Sequence, residues 1–142
     1  MIFCDTSALA KYYVPEAESA ALAFRLDSED AVVVSELARV ELMSVFHRRM
    51  CERKWTRERF QVAAGQFNRD DALKYWSWSP VSNLIVTAAS QLYLSLPESV
   101  FLRASDCLHL VTALHQGFEE ICTFDRRQQQ AVQMLGLTIA AI

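Results

Sequence analysis

Apolar residues fall along the chain in two kinds of run. Short segments rich in β-branched or aromatic residues, bounded by polar ones, predict strands at Ile2 to Asp5 ("IFCD"), Ala31 to Ser35 ("AVVVS"), Tyr75 to Val81 ("YWSWSPV"), Glu120 to Asp125 ("EICTFD") and the final "LTIAAI". Between them, apolar residues recur at three- or four-residue steps. Pro15 is placed to open a helix through Ala20, Leu22 and Leu26, and Leu37, Val40, Met43, Phe46 and Met50 make one face of a helix from Glu36 to Arg53. Thr56 reads as the N-cap of a helix through Phe60, Ala64 and Phe67. Leu84 to Leu94 reads as a helix closed by Pro97, and Ser105 as the cap of a helix striped by Cys107, Leu110, Val111 and Leu114 and stopped by Gly117. A further helix is expected near Gln128 to Leu135.

Strands apolar on both faces, alternating with helices, define a parallel sheet covered on each side. The expected class is α/β: a three-layer α/β/α sandwich with a central, mostly parallel sheet of about five strands. Repeats, low-complexity tracts and linkers are missing, so residues 1–142 are expected to form one domain. No run approaches the roughly 20 apolar residues that span a bilayer, and the start lacks a signal-peptide pattern, which points to a cytoplasmic location.

Cys4, Cys51, Cys107 and Cys122 are scattered without a C-x-x-C pair, a pattern of small core residues rather than of a zinc site or disulfide framework. A net charge of −3 gives the whole molecule no attraction for nucleic acid, so an RNA or DNA partner requires a local basic patch or a bound cation.

Four carboxylates stand out. Asp5 and Asp125 each close a predicted parallel strand, at the end where open α/β sheets build ligand sites. Glu41 projects from a largely apolar helix surface, and Asp106 lies in the first turn of its helix. Taken singly they have ordinary readings: Asp5 and Asp125 as turn residues or caps, Asp106 as a helix-dipole partner, Glu41 as a partner of Arg39 or Arg48. Taken together they raise an electrostatic problem. Two like charges 4 Å apart repel by about 4 kcal/mol at an effective dielectric of 20, so a converging cluster protonates, pairs with bases or holds a cation. An all-oxygen cluster suits Mg²⁺ or Mn²⁺, and the matching chemistry is hydrolysis of a phosphodiester.

Four fragments in order, "DTSAL", "SELARVEL", "LRASDCLHLVTAL" and "TFDRR", cover the chain from end to end. In them the sequence resembles the PIN-domain ribonucleases, and among those the VapC-like toxins of bacterial toxin and antitoxin pairs. The resemblance implies a Mg²⁺- or Mn²⁺-dependent endoribonuclease with Asp5, Asp106 and Asp125 around the metal. It also implies that Glu41 orients water or binds a second ion. It further implies an RNA substrate, a cognate antitoxin whose peptide blocks the acidic site, and a homodimer. Ser7, in the D-x-[ST] pattern, orients Asp5, reaches substrate or caps a helix.

Arg126 and Arg127 follow Asp125 and read either as partners of a substrate phosphate or as ordinary first-turn residues of a helix. The basic stretch Arg48 to Arg59, with Trp55, reads either as an RNA surface or as a solvated helix end with Trp55 packed inward. His109 shares a helical face with Asp106 and is read as a packed or hydrogen-bonded residue ahead of a metal ligand. Rival functions are a nuclease of the same fold acting in RNA maturation or on DNA, and a non-catalytic module whose acidic pocket takes a basic partner segment.

Overall fold

A computed structural model describes all 142 residues. Five strands, β1 (Ile2–Cys4), β2 (Val32–Ser35), β3 (Trp76–Ser79), β4 (Glu120–Cys122) and β5 (Thr138–Ile139), form one sheet in the order β3-β2-β1-β4-β5. Every pairing is parallel, with Phe3 beside Val33 on one side and Ile121 on the other.

Seven helices connect the strands: α1 (Thr6–Tyr13), α2 (Ser19–Asp27), α3 (Leu37–Cys51), α4 (Arg57–Ala72), α5 (Asn83–Leu92), α6 (Ala104–His115) and α7 (Arg126–Met134). Alternate residues of β1 enter opposite cores, as the two-residue strand period requires. Ile2 and Cys4 pack with Leu9, Leu22, Leu42, Phe46 and Phe67 from α1 to α4. Phe3 packs with Ile85, Leu110, Ile121 and Val132 on the face covered by α5, α6 and α7. The expected sandwich is therefore present, and its sheet is wholly parallel.

Local readings differ from the structure in identifiable ways. Helix α1 was not expected; its eight residues include two tyrosines and a threonine of modest helix propensity, and it is held by the Asp5 cap and by burial of Leu9 and Tyr13. Pro15 stands between α1 and α2 rather than in a first turn, and the residue before it, Val14, is extended as a pre-proline residue prefers. On α3 the buried line is Ala38, Leu42 and Phe46, rotated from the expected one, and Val40 faces solvent. Arg103, not Ser105, is the N-cap of α6. The last strands are shorter than expected because the chain turns into α7 at Asp125 and leaves the sheet after Ile139.

Thr56 caps α4 as expected, accepting the Arg59 N–H at 3.1 Å. Trp55 packs against Phe46 with ring centres 5.4 Å apart and takes the Arg59 guanidinium over its face. Cys4, Cys107 and Cys122 are buried and Cys51 is exposed, all as free thiols. No helix is long and apolar enough to cross a membrane.

Candidate active site

The sheet order places β1 at the point where connections change direction: the chain first builds outward to β3, then returns to lay β4 on the other side of β1. Loops diverge there and leave a crevice at the carboxyl ends of the strands. Asp5 follows β1, Asp125 lies three residues beyond β4, and their segments are tied by the Asp5 N–H donating to the Cys122 carbonyl at 3.1 Å. A cavity of about 520 Å³ opens at this place, and Asp5, Glu41, Asp106 and Asp125 all line it.

Asp5 is the most enclosed of the four, 1% exposed. Its Oδ1 accepts from Ser7 Oγ at 2.7 Å and from the Ala8 N–H at 3.0 Å, and its Oδ2 accepts from Thr123 Oγ1 at 2.7 Å. The same carboxylate thus caps α1 and faces the cavity, so the cap and site readings hold together. Burial pushes its carboxyl above the usual 3.8, against the charge of His109 and the bonds from Ser7, Ala8 and Thr123. Ser7 Oγ also accepts the Phe124 N–H at 2.7 Å, so one hydroxyl joins the end of β1 to the end of β4.

Glu41 pairs with neither Arg39 nor Arg48; Arg39 is engaged by Asp71 and Arg48 faces Glu52. Its Oε2 is bonded by Thr6 Oγ1 and lies 2.7 Å from His109 Nε2, which in turn lies 3.0 Å from Thr6 Oγ1. Burial alone raises the Glu41 carboxyl, but the bonds from His109 and Thr6 and the His109 charge outweigh it and hold the group below 4.5. His109 is 1% exposed and engaged through Nε2, which fits the expected packed or hydrogen-bonded residue, while its Nδ1 has no partner.

Asp106 and Asp125 share one base. Arg103 Nε donates to Asp106 Oδ2 at 2.8 Å, while Nη2 reaches Asp106 Oδ1 at 3.3 Å and Asp125 Oδ2 at 2.9 Å. Asp125 Oδ1 also caps α7, accepting the N–H of Arg127 at 2.8 Å and of Gln128 at 3.3 Å. Arg103 went unnoticed in the sequence; its spacing three residues before Asp106, one helical turn, was the available signal.

The cavity's other half is basic. Lys11, Arg48 and Arg49 line it, with Glu16 bonded to Arg49 at 2.8 Å and Lys11 to Glu16 at 3.2 Å. Part of the expected basic stretch therefore reaches the site. Arg126 and Arg127 do not line the cavity: both are exposed on the first turn of α7, and Arg127 lies over the Phe101 ring.

An all-oxygen donor set facing one crevice suits a hard divalent cation. Near Asp106, Gln128 Nε2 lies 3.4 Å from Oδ1 while its buried Oε1 has no donor, as a polar oxygen beside an ion or its water would be left. These residues fit such an ion. They are not yet gathered into a shell, since no three His, Cys, Asp or Glu side chains converge closely enough to hold a metal; two of the acids are turned onto Arg103.

A doubly covered parallel sheet with acids gathered at its switch point is a PIN-like α/β architecture, and the chain belongs to the PIN-domain family, whose pattern matches residues 2–133. Over 143 aligned residues it is 32% identical to Ribonuclease VapC46 of Mycobacterium tuberculosis, covering 99% of this chain and 96% of that protein. Its fold matches the crystal structure of Mycobacterium tuberculosis VapC20, a Sarcin-Ricin loop cleaving toxin, with a TM-score of 0.71 at 18% identity over 92% of this chain and 95% of that one. FitAcB from Neisseria gonorrhoeae matches with a TM-score of 0.72 at 16% identity, over 99% and 97% of the two chains.

Proposed function

We propose that this chain, acting as one domain in the cytoplasm, is a Mg²⁺- or Mn²⁺-dependent endoribonuclease and the toxin of a two-component toxin–antitoxin pair. The observation that carries the reading is the arrival of four carboxylates from four separate segments in one crevice, in a PIN-domain chain related over its full length to a ribonuclease.

Asp5, Asp106 and Asp125 would hold the cation. A divalent ion bound there polarises a phosphoryl oxygen and makes water a stronger acid. Ser7 and Thr123 fix the Asp5 carboxylate by donating to both of its oxygens. Glu41, kept ionised by Thr6 and His109, is positioned to accept a proton from an attacking water. Lys11, Arg48 and Arg49 meet RNA backbone phosphates along the basic half of the cavity. Arg126 and Arg127, outside it, serve flanking nucleotides. An antitoxin peptide fills the acidic half, and two copies of the chain associate as a homodimer.

Asp5→Asn and Asp106→Asn are expected to fold but to lose RNA cleavage and growth arrest on expression. Retention of both activities in nuclease-free preparations removes these residues from the mechanism. The hold of Arg103 on two acids favours a second reading, a non-catalytic module that captures a guanidinium from a partner. Titration with Mn²⁺ separates the two, since the module binds none at millimolar concentration.

A further inference from the structure

Arg103 occupies a position that helix formation alone does not favour. At the N-cap of α6 it accepts no hydrogen bond from the helix, as Ser, Thr, Asp or Asn would, and its charge opposes the positive end of the helix dipole. What it does contact is acidic: both oxygens of Asp106 and one of Asp125. Its side chain is 49% exposed, against 6% for Asp106 and 25% for Asp125, so the guanidinium covers the acids from the solvent side. Asp106 has no oxygen free of that fork.

We propose that Arg103 is an internal counter-cation, displaced from Asp106 and Asp125 when a divalent ion enters, and that its released guanidinium then binds the RNA phosphate. The inference rests on the cavity being a cation site. Four acids without a metal repel one another, and one bridging guanidinium relieves the pair it touches. A doubly charged ion offers the same oxygens more, and an exposed side chain leaves with little loss of packing. Freed, the planar fork presents two parallel donors, the geometry that matches phosphate oxygens. The arrangement links the two events: the fork becomes available to substrate after the acids have acquired their ion.

A positioning role limited to α6 gives opposite expectations, because loss of Arg103 would then loosen Asp106 and weaken metal binding. Calorimetric titration of the full chain with Mn²⁺ distinguishes them. Arg103→Met keeps the stem and removes the competing charge, so it is expected to bind Mn²⁺ roughly tenfold more tightly, from the loss of one unit charge a few ångströms from a divalent ion in a solvent-exposed setting. At saturating Mn²⁺ the same variant is expected to cleave RNA with a raised KM, and Arg103→Lys to recover part of the loss because it restores charge without the fork.

In the wild type, the ¹⁵N resonance of Arg103 Nε is expected to shift on Mg²⁺ titration and to stay fixed in Asp106→Asn. This measurement decides the matter even if Arg103→Met does not fold. Unchanged or weaker Mn²⁺ affinity in a folded Arg103→Met protein, or an Arg103 resonance indifferent to saturating Mg²⁺, overturns the proposal while leaving the cation site standing. Absence of Mn²⁺ binding by the wild type overturns both.

Discussion

Replacing Ser7 with alanine tests how the crevice is held together. Its hydroxyl donates to Asp5 and accepts from the Phe124 N–H, both at 2.7 Å, so one oxygen serves a charged acceptor and a backbone donor. Loss of a hydrogen bond to a charged group costs about 1.5–3 kcal/mol, and a stranded donor costs about 1 kcal/mol at the lower end of its range, appropriate to a half-buried site. Ser7→Ala should therefore lose about 3 kcal/mol. With ~2.1 cal/mol/K per residue over 142 residues, the entropy of unfolding is ~0.3 kcal/mol/K, which gives a fall in Tm of about 10 °C.

The charged share is separable. In an Asp5→Asn background the Ser7 hydroxyl meets a neutral amide and its bond is roughly half as strong. Urea unfolding of the four proteins of the cycle, with EDTA present, should give a coupling of about 1–1.5 kcal/mol between the two sites. A Ser7→Ala cost below about 0.5 kcal/mol, or an equal cost in both backgrounds, would refute the claim that this hydroxyl ties Asp5 to the end of β4.

Three further outcomes follow from the same geometry. Because burial raises the Asp5 carboxyl above 3.8, its contribution to stability is full below that value and is lost as pH rises through the raised one; metal-free Asp5→Asn should melt above the wild type at pH 7, the gap closing toward pH 4. Glu41 has the opposite sign: held below 4.5, it stabilises above that pH and ceases to as pH falls through the lowered value, so Glu41→Gln should melt below the wild type at pH 7 and converge with it in acid. Tyr13→Phe removes a hydroxyl that donates to Asp70 at 2.7 Å and accepts from Trp76 Nε1 at 2.8 Å; the stranded indole N–H should cost about 1–3 kcal/mol in urea unfolding, and an unchanged midpoint would count against it.

The strands and most helices were legible because their apolar periods are strong, and α4 also because its cap at Thr56 is conventional. Helix α1 escaped because eight residues carry little periodic signal and make a marginal helix alone, and what holds it is a carboxylate cap plus packing on the sheet. The face of α3 was misjudged for a related reason. Several faces of that helix carry apolar residues, and the shape of the neighbouring sheet, unseen in one dimension, selects Ala38, Leu42 and Phe46.

Strand ends and parallel order put Asp5 and Asp125 at one edge of the sheet; that Glu41 and Asp106 join them was implied by the family resemblance, and all four line one cavity. Most of their partners were not legible, since Thr6, Thr123 and His109 acquire their contacts only through folding; Ser7 and Arg103, close in the chain to Asp5 and Asp106, left a local signal. Arg126 and Arg127 show the converse: adjacency to Asp125 in the chain does not place a side chain in the crevice when a helix begins between them.

The placement of β4 beside β1 has a consequence for the timing of synthesis. Asp5 is synthesised well over a hundred residues before the hydroxyl and carbonyl that hold it, on Thr123 and Cys122. A nascent chain carrying β1, β2 and β3 has the outer half of the sheet but no opposing wall for its cleft. Translation must pass Asp125 before the four acids can meet, so a partial chain carries no complete crevice.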